Sequence, residues 1–443
     1  MKNSFYRSLY VGLISILLVA ANAYSQAPPT STETLALVNA TVIDGNGGQP
    51  LAKTTVVITG ERITDIFPTG KKNPPAGATI VDLGGQYIIP GLIDSHVHLA
   101  TGTPPKEARD RVLRFALLGG ITTVRDMGGD AVLLQEMAKA ASDRSTESPR
   151  IYFSAIMGGP TFFSDPRTKA SAHGGVAGEV AWLRAITTDT DMAKAIADAK
   201  AAGVTAIKVY AQLPAELVAK ITAEAHRQKL KVWSHATIFP AKPGDAVSAG
   251  VDALSHSAYL LREGVSKVPD SYSARLSGDY ASVPVNSDAI TALLRRMKEK
   301  GTALDATLFI FNSFVESGQP PPGVRDARLL ANWSFDVTRR ARELGVTVIA
   351  GTDAIGGPGR EAFPNLHTEL ELLVGKCGFT PLEAITSATR AAAETLGIQD
   401  SYGTIQKGKI ADLVVLSDDP SRDIHNTKKI VYVIKGGRLH KRA

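Results

Sequence analysis

At 443 residues, with 44% hydrophobic residues, 21% charged residues and 40 glycines, the chain has a globular enzyme's composition, which excludes a disordered or fibrous protein. Its net charge of +6 is spread thinly, with much of the excess in the last 20 residues and no Lys/Arg block interleaved with aromatics, so nucleic acid is excluded as a partner. Cys377 is the only cysteine, which excludes an internal disulfide.

In chain order, residues 1–25 carry Lys2 and Arg7, an apolar run from Leu9 to Ala23, and small residues at Ala21, Ala23 and Ser25. This is the pattern of a secretory signal peptide, and the mature protein is expected to be periplasmic or secreted. A membrane anchor fits less well, because the apolar stretch of about 15 residues is short of the roughly 20 that span a bilayer. The mature form is thus expected to need no membrane. Residues 26–34 form a polar, Pro-rich leader.

Short β-prone runs follow at Leu35 to Ile43, Thr54 to Ile58, Arg62 to Ile66 and Thr79 to Asp82, punctuated by glycine clusters, and they read as antiparallel strands. Ile410 to Leu416 and Lys429 to Ile434 match them at the far end. Segments 35–90 and 399–440 are therefore expected to form a composite β-sandwich, since about 35 carboxy-terminal residues make a poor core alone. Between them, 91–398 alternates strands with helices. Eight β segments are read, namely Tyr87 to His98, Ile121 to Asp126, Arg150 to Ala155, Val204 to Tyr210, Lys231 to Ala236, Ala253 to Ser257, Thr302 to Thr307 and Thr347 to Asp353. With helices at Ala193 to Ala202, Glu216 to Gln228 and Ser287 to Lys300, and recurrent turns at Gly203, Gly250 and Gly345, this predicts an α/β fold, a (β/α)8 TIM barrel.

The first segment ends Gly91-Leu-Ile-Asp-Ser-His-Val-His-Leu99. Strand side chains alternate faces, so His96 and His98 point the same way, toward the barrel mouth. Lys208, His235, His256 and Asp353 interrupt or end four further apolar strands, placing six groups at the mouth-side ends of five strands. Imidazoles and carboxylates suit zinc and related ions, and a catalytic site keeps a coordination position for water or substrate. Lys208 is the odd member, because an ammonium offers no lone pair. It fits only if neutral or covalently modified. His173 and Tyr210 are candidates for substrate contact, although a loop histidine and ordinary barrel packing explain them as well. Arg125 and Asp126 read as a salt-bridged support, His367 as a local structural residue, and His226, His425 and His440 as surface residues.

Together with Gly119-Gly-Ile-Thr-Thr-Val-Arg-Asp126, Ala249-Gly-Val-Asp-Ala-Leu-Ser-His256, Leu366-His-Thr-Glu-Leu-Glu-Leu-Leu373 and Gly403-Thr-Ile-Gln-Lys-Gly-Lys-Ile-Ala-Asp412, these motifs resemble the amidohydrolase superfamily. The closer likeness is to its imidazolonepropionase-like branch, which includes Xaa-Pro and Xaa-Arg dipeptidases and some toxin-cleaving amidases. The resemblance runs from about residue 35 to the end. It implies two divalent metal ions, usually zinc, with Lys208 carboxylated by carbon dioxide and bridging both. His96, His98 and Asp353 would hold the more buried ion, and His235 and His256 the more exposed one. Many relatives carry Glu-His-Gly where this chain has Ser255-His256-Ser257, and Gly-Gly-His-Gly where it has Met157-Gly-Gly-Pro-Thr161. The expected reaction is hydrolysis of an amide or peptide bond in a small molecule by a metal-bridging hydroxide, with Asp353 as general base and then acid. A lactonase or phosphotriesterase would use the same centre, a mononuclear deaminase would not need Lys208, and a non-catalytic periplasmic binding protein would not need all six ligands. Homo-oligomerisation is compatible with the sequence. Specificity is expected in the loops Gly158 to Gly178 and Leu260 to Val285.

Overall fold

Glycine pairs and clusters break the amino-terminal β-prone runs into separate strands, as predicted. The computed structural model describes residues 33–102 and 104–441, so the expected signal peptide, 1–25, lies outside the described residues. The strands are β1 (Thr34–Val42), β2 (Leu51–Thr59), β3 (Arg62–Pro68), β4 (Thr79–Asp82) and β5 (Tyr87–Pro90). β1 pairs with β2, and β2 with β3, in antiparallel hairpins. The antiparallel expectation fails at the other edge of β1, which pairs in parallel with β4 and β5. Residues 69–78 carry the chain back before β4 starts, so both later strands run in the direction of β1.

The predicted strand Tyr87 to His98 is two strands. Gly91 donates its N–H to Asp412 O at 2.8 Å, while Leu92 donates to Gly120 O at 3.0 Å. Successive amides thus belong to different sheets, and β6 (Leu92–Val97) opens the barrel. It is followed by β7 (Ile121–Asp126), β8 (Arg150–Gly158), the short β9 (Leu183–Ala185) on the end of β8, and then β10 (Ala206–Val209), β11 (Lys231–His235), β12 (Ala253–Ser255), β13 (Ala303–Asp305) and β14 (Val348–Ile349). The order β14-β13-β12-β11-β10-β8-β7-β6, parallel throughout, is the predicted eight-stranded barrel. Ser95 N–H to Ala350 O and Asp353 N–H to His96 O, both 2.9 Å, close the seam between its first and last strands. Asp94 clips the same seam, accepting the Thr352 amide at 3.1 Å and its hydroxyl at 2.8 Å.

Helices Met192–Ala201, Ala215–Arg227 and Asp288–Lys300 lie where apolar periodicity put them. The predicted turn glycines Gly203, Gly250 and Gly345 adopt φ of 83°, 88° and 78°, a left-handed conformation that suits glycine at helix ends. No helix among the described residues is long and apolar enough to cross a membrane.

The chain returns to the terminal sheet with β15 (Leu413–Leu416), β16 (Ile430–Lys435) and β17 (Arg438–Lys441), giving the order β17-β16-β15-β5-β1-β2-β3. The expected sandwich domain is thus one continuous mixed sheet, with Leu37, Val56, Ile58, Ile88, Leu413 and Ile434 in its buried cluster. Strand β17 is polar in sequence and was not predicted. Pairing with Val433 buries His440, which corrects its reading as a surface residue.

Sheet and barrel are joined by polar contacts. Arg150 donates to Asp412 Oδ2 at 2.8 Å, and Gly436 N–H to Asp412 Oδ1 at 2.7 Å. Fully buried Lys435 donates to Ala141 O at 2.6 Å. His367 bridges Thr427 Oγ1 and Gly119 O at 2.9 and 2.8 Å, which is the structural role expected of it. Asp412→Ala strips largely buried Arg150 of its counter-charge and is expected to cost about 2–4 kcal/mol of stability, read as a lowered urea midpoint. An unchanged midpoint would show that the junction does not depend on this pair.

Candidate metal centre

All six predicted residues project from the mouth-side ends of the strands that the sequence assigned to them. His96, Lys208, His235 and His256 are buried, and His98 and Asp353 are each 25% exposed at the side chain. Asp353 Oδ1 lies 3.5 Å from His96 Nε2 and 3.3 Å from His98 Nε2. Ligand atoms of His96, His256 and Asp353 fall within 4.8 Å of one another. The His235 and His256 rings are 4.5 Å apart between centroids, and His235 lies between Tyr210 at 5.0 Å and Tyr259 at 5.5 Å.

The hydrogen bonds behind the rings decide which nitrogens face the centre. His98 Nδ1 lies 3.1 Å from Gly128 O, which accepts only, and His96 Nδ1 lies 2.6 Å from the Asp305 carboxylate. Both Nδ1 atoms therefore carry the proton and leave Nε2 with a lone pair for a cation. His256 Nδ1 contacts Thr307 Oγ1 at 2.9 Å. His235 differs, since its Nδ1 accepts the Thr237 N–H at 3.1 Å, so the neutral ring carries its proton on Nε2. To act as a ligand, His235 must exchange that contact or that proton. The donor set of His96, His98, His256 and Asp353 fits a divalent cation as it stands.

Burial opposes ionisation of Asp353, but without a cation the protonated forms of His96 and His98 outweigh it and hold the carboxyl well below its usual range; a bound cation would take over that part and leave both rings neutral, with Nε2 free. Burial holds His235 and His256 well below the usual histidine value, helped at His235 by His256, Lys208 and Arg275. Burial also brings the Lys208 amine down to about 7, against the attraction of Asp305.

The sequence reading missed Asp305. It is fully buried, and its Oδ2 accepts from His96 Nδ1, from Arg125 Nη2 at 2.8 Å and from Ser255 Oγ at 2.9 Å. Lys208 Nζ donates to the same Ser255 hydroxyl at 2.8 Å. Arg125 therefore has its expected salt-bridged support role, although with Asp305 and not Asp126. Asp126 instead accepts the Leu99 and Gly128 amides at 2.5 and 2.9 Å. Gly351 allows the approach of the last strand, since a Cβ there would lie 2.6 Å from Asp305 Oδ1 and 2.8 Å from the Cβ of His96.

A cavity of about 430 Å³ opens on His98, His235, His256 and Asp353. Both loops expected to carry specificity contribute, with Phe162 and Arg167 from one and Tyr272 and Arg275 from the other. Tyr210 lines it too. His173 does not: Asp130 draws it aside, with Nδ1 2.7 Å from Oδ2, while the other oxygen of Asp130 caps helix Ala131–Ser142. The opposite wall is helix Leu308–Glu316, whose first amides, Leu308 and Phe309, donate to buried Glu369 at 3.0 and 2.6 Å.

A barrel whose strand-end histidines and aspartate converge in this way could hold a divalent cation at its mouth. Residues 87–440 match the amidohydrolase family, and the chain belongs to it. It is 26% identical over 413 residues to ochratoxinase of Aspergillus niger, covering 80% of this chain and 75% of that protein. It is 29% identical over 396 residues to imidazolonepropionase of Streptomyces avermitilis, covering 85% and 84%. The crystal structure of A. niger ochratoxinase superposes with a TM-score of 0.72 at 25% identity, covering 93% of this chain and 96% of that one. A Xaa-Pro dipeptidase with methionine bound in its active site superposes with a TM-score of 0.73 at 23% identity over 93% and 100%, which shows the shared fold.

Asp305→Asn keeps the shape of the side chain and removes the charge that orients His96. Zinc affinity is expected to fall about 10- to 100-fold, measured by competition with a chromophoric chelator, while the protein remains folded. Unchanged affinity would remove Asp305 from the support of the centre.

Proposed function

We propose that the protein hydrolyses an amide or peptide bond in a small substrate of the dipeptide or N-acyl amino acid type, using two divalent ions, zinc by preference, and a carboxylated Lys208. The observation that carries this reading is the convergence of His96, His98, His256 and Asp353 beside the buried Lys208 amine at one barrel mouth. The names of its relatives, ochratoxinase and imidazolonepropionase among them, support hydrolysis of a carbon–nitrogen bond.

His96, His98 and Asp353 would hold one ion, and His235 and His256 the other. Bound there, the ions supply an acidified water and polarise the scissile carbonyl. Asp353 would take the proton of the attacking water and return it to the leaving nitrogen. Only a neutral amine adds carbon dioxide, and burial makes that form of Lys208 accessible near neutrality. The addition forms an N–C bond and releases one proton, and the carbamate then offers oxygen ligands where an ammonium offers none. Phe162, Tyr210 and Phe311 surround the mouth with apolar surface that limits water.

Metal analysis joined to a hydrolysis panel tests this. Wild type is expected to carry two zinc equivalents and to prefer dipeptides or N-acyl amino acids over lactones and organophosphates. Asp353→Asn should lower kcat by about 10²- to 10⁴-fold. Lys208→Ala should bind less metal, and chelation should abolish turnover until zinc is returned. Wild-type turnover in both variants, or a preference for lactones, would overturn the reading.

A further inference from the structure

Two arginines line the cavity, and one of them is already matched. Asp165 holds Arg167 through Nε at 3.1 Å and Nη2 at 2.7 Å. Arg275 has no carboxylate partner among the described residues. Its guanidinium lies over the Tyr272 ring, 4.4 Å from the centroid, with Nη1 3.5 Å from the Tyr272 carbonyl. Asp353, the acidic residue lining this cavity, is engaged with His96 and His98. Asp165 lies within reach of the Arg275 charge, but both its oxygens are taken by Arg167 and it forms no ion pair with Arg275, so the cavity presents a half-buried cation with no carboxylate bound to it.

The loop is fixed on both sides of it. Gln212, just beyond β10, accepts the Tyr272 N–H at 2.9 Å and donates to Asp270 O at 3.1 Å. Tyr272 also reaches the Tyr210 hydroxyl at 3.4 Å. Buried Arg262 donates to the carbonyls of Ala274 and Arg275 at 3.2 and 3.0 Å. The backbone of Arg275 is therefore held before any ligand arrives, which lowers the entropy lost on binding. A guanidinium stacked on an aromatic face and short of one anion matches a carboxylate, which it can bind through two parallel hydrogen bonds. Phe162, Phe311 and Phe314 supply apolar surface in the same cavity.

Resting on the amide-hydrolase reading, we propose that Arg275 is the specificity-determining residue that receives the free carboxylate of the substrate, while the phenylalanine wall receives an apolar acyl group or side chain. Neutral amides, carbamates and ureas lack the anion that this position requires, so the cavity selects against them.

Binding separates this proposal from catalysis. Dissociation constants are measured by calorimetry on the zinc-loaded protein with the non-hydrolysable analogue of N-benzoyl-leucine in which the amide NH is replaced by CH2, and with the carboxamide of that analogue, for wild type, Arg275→Gln, Arg275→Lys and Lys267→Gln. Lys267 belongs to the same loop and is 79% exposed, so its variant removes an equal charge without removing the contact. Wild type is expected to favour the acid by about 10- to 100-fold, the range of a charge-assisted pair. Arg275→Gln should erase most of that ratio, Arg275→Lys should retain part of it, and Lys267→Gln all of it. A wild type without preference, a ratio that survives in Arg275→Gln, or an equal loss in Lys267→Gln overturns the proposal. Turnover of N-benzoyl-leucine itself is scored separately and bears on the amide-hydrolase reading alone.

Discussion

The buried carboxylate of Asp305 is the point on which the barrel mouth is assembled. Placing an ion of this kind in a protein interior costs several kcal/mol unless partners replace its water. Here the partners come from three other strands: His96 on β6, Arg125 on β7 and Ser255 on β12. Their combined charge and hydrogen bonds outweigh desolvation and hold Asp305 well below the usual carboxylate range. Each partner is in turn constrained. His96 must present Nε2 to the centre, and Arg125 reaches back to the Ser95 carbonyl on the first strand. Ser255 is left to receive the Lys208 amine.

The same neighbourhood carries backbone strain. His256, Thr307 and Asp353 adopt φ of 76°, 50° and 58°, left-handed values that cost non-glycine residues roughly 1–3 kcal/mol each. Backbone hydrogen bonds hold two of them there: His256 N–H donates to Asp305 O at 2.8 Å, and Asp353 N–H to His96 O at 2.9 Å. The bond that aims Asp353 at the centre is also one of those that close the barrel. Site and seam are therefore a single construction, which explains why two of the chemistry-bearing side chains sit on its first and last strands.

Much of this was legible because a polar residue at the end of an apolar strand stands out. His96, His98, Lys208, His235, His256 and Asp353 were singled out by that rule and stand together at one barrel mouth, and the barrel was found by its alternation of strands and helices. Asp305 ends Thr302-Ala-Leu-Asp305 in the same manner and was passed over, although its environment is what orients His96. The division at Gly91 was hidden because an apolar run reads the same whichever sheet takes its amides. Strand β17 was hidden for the opposite reason, since Arg438-Leu-His-Lys441 looks exposed until β16 pairs with it. The Gly436-Gly437 pair before it was the available hairpin signal.

The specificity wall was the least legible part, for a physical reason. Its defining contacts join residues far apart in sequence, such as Gln212 with Tyr272 and Phe309 with Glu369, and periodicity carries no information about such pairs. His173 illustrates the difficulty: a loop histidine near the mouth is captured by the second oxygen of the buried Asp130 carboxylate, the first being taken by two helix amides. Glu369 shows how the two levels meet. By taking the first amides of helix Leu308–Glu316 it orders the segment that brings Phe311 and Phe314 to the cavity. Strand ends thus carry the candidate metal-binding groups, while buried acids outside the centre, Glu369 and Asp130, order segments at and beside the cavity they open on.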